Sequence, residues 1–233
     1  WGQVTFTFVN GLTIRNSTLN RLDWHYGCEG FCKISNCCID YFSWGGFIYD
    51  SCIFENCVFN TTGSTGCVTT RQSEDVSTYL NGFLTFKNCS FNRKNAGVIL
   101  NIGNTRDTSF FMNCKNGLIS FEKCSFDSGN HVDVATINGN NSMAVLDLTF
   151  KDMYNDTAFG GYYWVNNDVK IRTLTFENIR GDIHTYFNAN TVKMVRCTMN
   201  KGYVMGIDLK ASQSGSADTI IFNQCYMGRV TNP

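Results

Sequence analysis

Apolar and polar residues alternate along this chain in short bursts, and the bursts come in pairs. The recurring pattern is apolar, any, apolar, two residues, then apolar, any, apolar. It reads Leu12-Thr-Ile14-Arg-Asn-Ser17-Thr-Leu19, then Cys32-Lys-Ile34-Ser-Asn-Cys37-Cys-Ile39, then Cys52-Ile-Phe54-Glu-Asn-Cys57-Val-Phe59. Leu84-Thr-Phe86-Lys-Asn-Cys89-Ser-Phe91 and Ile119-Ser-Phe121-Glu-Lys-Cys124-Ser-Phe126 follow. Weaker copies centre on Phe150, Phe176, Met194 and Phe222. These nine copies are separated by 20, 20, 32, 35, 29, 26, 18 and 28 residues, counted between their central Ile, Phe or Met. Alternation within each half has period two, which predicts a short strand with one buried face. The pattern lacks the 3.6-residue period of a helix, and its segments are too short for one.

The two-residue break shifts the phase, so the chain bends there while both halves still face inward. Asn16, Asn36, Asn56, Asn88, Lys123, Asp152 and Asn178 occupy the bend. Asn tolerates the left-handed backbone that such a bend needs. Stacked Asn side chains also hydrogen-bond from repeat to repeat as a ladder. Repeats of 20–50 residues signal a solenoid. The expected fold is all-β: a single-stranded parallel β-helix of about nine rungs, each rung a strand, a bend, a second strand and a variable return. At about 4.8 Å per rung, the rod is about 43 Å long.

These motifs resemble the pectin-lyase-like superfamily of right-handed parallel β-helices over residues 5–230. The right hand is implied by the resemblance, as is kinship with phage tailspike, fibre and appendage domains. Residues 1–233 read as a single β-helix domain. The opening Trp1-Gly2-Gln3-Val4 has neither an initiator Met nor a signal-peptide profile, so a piece of a longer or processed chain is expected.

Composition narrows the partners. Charged residues are 16% of the chain, with 19 Lys+Arg against 19 Asp+Glu. A neutral chain has no basic footprint for nucleic acid or an anionic membrane. No apolar run approaches the roughly 20 residues of a membrane-spanning helix. One Pro beside 19 Phe favours strands.

Of the 12 Cys, eight fall on inward motif positions: Cys32, Cys37, Cys52, Cys57, Cys89, Cys124, Cys197 and Cys225. Free Cys packs as a small hydrophobe, so these are expected as reduced core thiols. Cys28, Cys38, Cys67 and Cys114 lie off those columns, and their pairing is left open. Cys28-x-x-x-Cys32 lacks a second pair or nearby His, so no metal and no cofactor is expected. Sequons at Asn16, Asn60, Asn88, Asn140 and Asn155 read as incidental in a chain with 27 Asn.

Catalytic candidates are sparse. Glycoside hydrolysis needs two carboxylates about 5–10 Å apart. Asp127 and Asp133 flank Ser-Gly-Asn-His131 in one long return; they read as solvated loop carboxylates, with an acid/base pair as the alternative. Residues 169–179 resemble a polygalacturonase rung, with Lys170 and Arg172 as its basic pair. That family's Asn-Thr-Asp, Asp-Asp and Gly-His-Gly elements are missing, so both read as ordinary outward residues. His25 and His184 have no partner at recognisable spacing. Trp44, Tyr162, Tyr163 and Trp164 lie outside the inner columns, where exposed rings stack on sugars or anchor an interface.

The expected function is a non-enzymatic structural or adhesive segment of a virion or cell-surface assembly, such as a tail or head spike, fibre or appendage. A homo-oligomer (a trimer is the expected form), other virion proteins and a surface polysaccharide are the expected partners. A polysaccharide depolymerase, hydrolase or lyase, is the first alternative. A bacterial surface adhesin passenger is the second.

Overall fold

The computed structural model describes residues 2–7, 9–24, 27–44, 47–48, 50–60, 68–70, 79–80, 82–92, 98–102, 117–126, 131–134, 146–153, 165–167, 171–180, 189–199 and 217–227. Among them the structure is all-β, and no residue is helical. The strands form an 11-stranded, a 10-stranded and a 2-stranded sheet. Every pairing is parallel, from Leu12↔Cys32 to Met194↔Phe222. Among the described residues no helix is long and apolar enough to cross a membrane.

Each first half of the motif lies in the 11-stranded sheet, and all nine copies stack position upon position. The column Ile14, Ile34, Phe54, Phe86, Phe121, Phe150, Phe176, Met194, Phe222 runs through it unbroken. Burial alternates along the central strands, as in Gly117–Glu122. In-register parallel strands bring identical side chains to one strand spacing. Phe86 therefore lies between Phe54 at 5.2 Å and Phe121 at 5.1 Å, with its ring tilted only 15° and 13° to theirs. Phe59 and Phe91, from the second halves, meet Phe86 edge-on at 5.8 and 5.5 Å. Stacked and edge-on contacts thus both occur, the two geometries that ring quadrupoles favour.

Burial was expected for Leu12, Phe54, Phe86, Phe121, Phe150, Phe176 and Phe222, and it holds for Phe54, Phe86, Phe121, Phe150 and Phe176, all fully buried. Leu12 is only partly buried, and Phe222 is 44% exposed. Their strands, Val9–Arg15 and Ala217–Asn223, are the first and last described in this stack. Among the described residues, each has a stacking neighbour on one side alone.

The bend has one conformation in all nine copies. Asn16, Asn36, Asn56, Asn88, Lys123, Asp152, Asn178, Arg196 and Gln224 have φ between 52° and 54°. The Asn ladder forms where Asn is consecutive: Asn36 Nδ2 donates to Asn16 Oδ1 at 3.3 Å, Asn56 to Asn36 at 3.2 Å, and Asn88 to Asn56 at 2.6 Å. It resumes where Asn178 donates to Asp152 at 2.7 Å. Lys123 interrupts it in a left-handed conformation that a long side chain does not favour. Lys123→Asn joins the two runs and relieves that cost. The expected gain is about 1 kcal/mol in urea denaturation; a loss of stability would show that the ladder contributes nothing there.

The thiols form a second ladder. Cys57 Sγ donates to Ile34 O at 3.5 Å, Cys89 to Phe54 O at 3.4 Å, Cys124 to Phe86 O at 3.3 Å, and Cys197 to Phe176 O at 3.4 Å. Each acceptor is the central residue of an adjacent repeat, so Cys here is a hydrophobe with a directed donor. Cys37, Cys52, Cys57, Cys89, Cys124 and Cys197 are buried and free, while Cys38 and Cys225 are free and half-buried. Two expectations are corrected. Cys28 is a core residue, 1% exposed, and it is disulfide-bonded to Cys32, which is therefore not a free thiol. Strand Gly27–Ser35 slips its register beside Gly30, whose φ is +72°. Positions 28 and 32 already share a face by alternation, and the bulge shortens the strand between them, so that their Cα atoms lie 7.4 Å apart rather than the roughly 13 Å of four extended residues.

Native protein treated with a maleimide at neutral pH is expected to be modified at Cys38 well before Cys52, Cys57, Cys89, Cys124 and Cys197, because attack needs an accessible thiolate. Peptide mass mapping reads the sites, and early modification of Cys89 would refute the buried ladder.

A candidate functional site on the ten-stranded sheet

The returns between motif copies are not featureless. Strands Gln3–Phe6, Thr18–Trp24, Cys38–Trp44, Val68–Thr70, Val98–Ile102, His131–Val134 and Val165–Asn167 pair with one another in the 10-stranded sheet. Sequence reasoning missed this run. A period-two signal was present in Leu22-x-Trp24, Phe42-x-Trp44, Leu100-x-Ile102 and Val132-x-Val134, but irregular spacing from the motif concealed it. Leu22, Phe42 and Val68 form its core-facing column, all fully buried. The neighbouring register column is polar throughout: Thr5, Asp23, Ser43, Thr69, Asn101, Asp133, Asn166. Seven positions one strand spacing apart extend over about 29 Å.

Asp23 lies in this column between Thr5 and Ser43. Its carboxylate is buried, with the residue 4% exposed, and Ser43 beside it is 2% exposed. Oδ2 accepts hydrogen bonds from Gln3 Nε2 at 2.9 Å and Arg21 Nε at 2.5 Å. Oδ1 is buried without a donor. Gln3 Nε2 also reaches Thr5 Oγ1 at 3.2 Å. The Arg21 guanidinium lies over the Tyr41 ring, 5.2 Å from its centroid, in the cation–π range. Residues 3, 5, 21, 23, 41 and 43 share one parity along their strands. They therefore belong to one face, opposite the core face of Leu22 and Phe42.

The 11-stranded sheet spends its outward charges differently. One register column reads Glu55, Lys87, Glu122, Lys151, Glu177, alternating in sign. Lys33 pairs with Glu55 at 2.6 Å, Lys87 with Glu122 at 3.6 Å, and Arg196 with Glu177. Lys33 holds the Glu55 carboxyl below its ordinary pKa by hydrogen bonding and charge.

The sequence candidates fall as follows. Arg172, read as an ordinary outward residue, makes a two-pronged pair with Asp147, Nε to Oδ1 at 3.0 Å and Nη2 to Oδ2 at 2.8 Å. Asp133 lies in strand His131–Val134 rather than a loop, in register between Asn101 and Asn166. Trp44 closes strand Cys38–Trp44 at the register position of Trp24, whose indole is fully buried. Asp127, Tyr162, Tyr163, Trp164, Lys170, His25, His184, Cys67 and Cys114 lie outside the described residues. Among the described residues, no group of three or more His, Cys, Asp or Glu is placed to hold a metal ion. Comparison of the chain with protein-family models, with curated proteins and with solved structures finds no match.

Proposed function

We propose that the chain is a right-handed parallel β-helix of the pectin-lyase-like kind, a structural and adhesive segment of a virion or cell-surface assembly such as a spike, fibre or appendage. The observation that carries this reading is the unbroken register of all nine motif copies across the 11-stranded sheet. Such stacking lengthens a particle without changing its cross-section, which suits a spacer that holds a contact at a distance. Several outward charges of that sheet are engaged in pairs between repeats, and several of its bends in side-chain ladders, so these groups serve the stack itself. Free core thiols fit a chain folded in a reducing compartment before assembly. The 10-stranded sheet, with its polar column, is the adhesive face.

Small-angle scattering is expected to give the distance distribution of a rod. Size-exclusion light scattering is expected to give a homo-oligomer, a trimer in the simplest case. A compact, isotropic monomer that binds no polysaccharide from a panel would sink the reading.

A polysaccharide depolymerase is the second reading, favoured by one observation: Asp133 lies two residues after His131 on one strand, within the polar column. New reducing ends or unsaturated products, lost in Asp133→Asn, would put this reading in place of the first.

A further inference from the structure

Two arginine–aspartate pairs in this molecule differ in a way that stability alone does not explain. Arg172 and Asp147 meet fork to fork, both carboxylate oxygens engaged. This is the strongest geometry open to the pair. Arg21 and Asp23 lie two residues apart on one strand, yet only Nε touches the carboxylate, at Oδ2. Asp23 Oδ1 is left buried without a donor, an arrangement that costs free energy. The Arg21 side chain is 49% exposed, against 6% for Asp23. Its guanidinium is held at one edge by the carboxylate and over one face by Tyr41. A planar fork fixed at Nε and stacked on a ring keeps its two terminal amino groups as a ready pair of parallel donors. Local departures from the most stable arrangement concentrate at functional sites.

We infer that Arg21, positioned by Asp23 and Tyr41, receives an oxyanion carried by a surface glycan, a carboxylate or a phosphodiester. Choosing a glycan as the carrier rests on the adhesive reading above. Asp23 is a positioning residue: it turns the fork outward and leaves the local net charge near zero. Recognition therefore depends on paired hydrogen bonds more than on bulk attraction. The Asp23 carboxylate against Arg21 disfavours a densely acidic peptide. A glycan instead brings isolated anions among neutral hydroxyls, for which the exposed Gln3 is a nearby partner on the same face.

The test is a fluorescence-polarisation titration of the full chain with three labelled oligosaccharides of equal length. One bears sialic-acid carboxylates, one has phosphodiester links, and one is neutral. Either acidic probe is expected to bind at least about tenfold more tightly than the neutral one, and the stronger of the two names the oxyanion. Arg21→Lys keeps the charge but not the fork, and is expected to remove that preference. Arg172→Lys, on the other sheet, is expected to leave it intact. Asp23→Asn is expected to weaken acidic binding while leaving any neutral binding unchanged, a split that a general loss of structure would not produce. Equal binding of neutral and acidic probes, or an unchanged preference in Arg21→Lys, overturns the site while the adhesive reading stands. Tighter binding of a glutamate peptide than of either acidic glycan overturns the choice of carrier. Failure of all three probes overturns the site. If a wider polysaccharide panel also fails, the adhesive reading falls with it.

Discussion

Replacing Phe86 with Ala is expected to destabilise the chain by about 3–5 kcal/mol, the range for a fully buried ring truncated in a packed core. Domains of ordinary stability unfold at 5–15 kcal/mol, so this one change removes about a fifth or more. The reason is local. Phe86 stacks on Phe54 and Phe121 and takes the edges of Phe59 and Phe91. Backbone pairing on both sides of its strand keeps the neighbouring repeats from closing over the void. Phe222→Ala serves as the internal control. It removes the same atoms from the same motif position, but the ring is 44% exposed. Its expected cost is well under half that of Phe86→Ala, because less apolar area leaves contact with the protein. Urea denaturation of both variants, read at constant slope, measures the difference. Equal costs would mean that the described stack is not the core.

The sequence made the 11-stranded sheet legible because its motif couples three signals at fixed spacing: alternation, the Asn-rich bend and the Cys after it. All nine bends adopt the positive φ that this spacing implies, including Arg196 and Gln224, where the residue type gives no hint. Neighbouring copies carried the inference there, since a stacked chain must bend where its neighbours bend. The ten-stranded sheet was hidden because its strands keep register with each other but not with the motif. Four residues part Leu19 from Trp24, whereas 11 part Val134 from Leu146. Only parallel pairing reveals that Asp23, Ser43 and Asp133 share a column. The alternating charges from Glu55 to Glu177 were readable in principle, since they hold one motif position. A single copy shows a lone charge there, and the sign pattern exists only between copies. The Cys28–Cys32 disulfide escaped for a different reason. Residues four apart share a face but lie about 13 Å apart in a regular strand, and the bulge beside Gly30 that closes this to 7.4 Å is visible only against a partner strand.

Alkaline pH is expected to unfold the protein over a narrow range that its buried thiols set. The second and third repeats place Cys52 in full burial, which pushes its thiol well above the ordinary range. Cys89 is pushed up to about 12, first by its hydrogen bond with Cys124 and then by burial. Cys197 is pushed up to about 11 by burial. A folded value above the unfolded one means that the folded chain holds its proton more tightly. The associated stability is complete below the unfolded thiol value of about 8.5. It declines from there until the folded value is reached. Each thiol that stays protonated only in the folded state then removes about 1.4 kcal/mol per pH unit. Cys52 and Cys89 together account for about 3 kcal/mol per unit, and Cys197 adds to this until its own value is passed. Thermal melts under argon at half-unit steps from pH 7 to 11 are expected to be flat below pH 8 and to fall steeply above pH 9. Tyr and Lys also titrate in that range, so the decisive comparison is a Cys52→Ala, Cys89→Ala double variant. It begins less stable, because two packed side chains are lost, yet its melting temperature is expected to fall more gently above pH 9. An alkaline slope identical to that of the parent would show that these thiols ionise as freely in the folded chain as in the unfolded one.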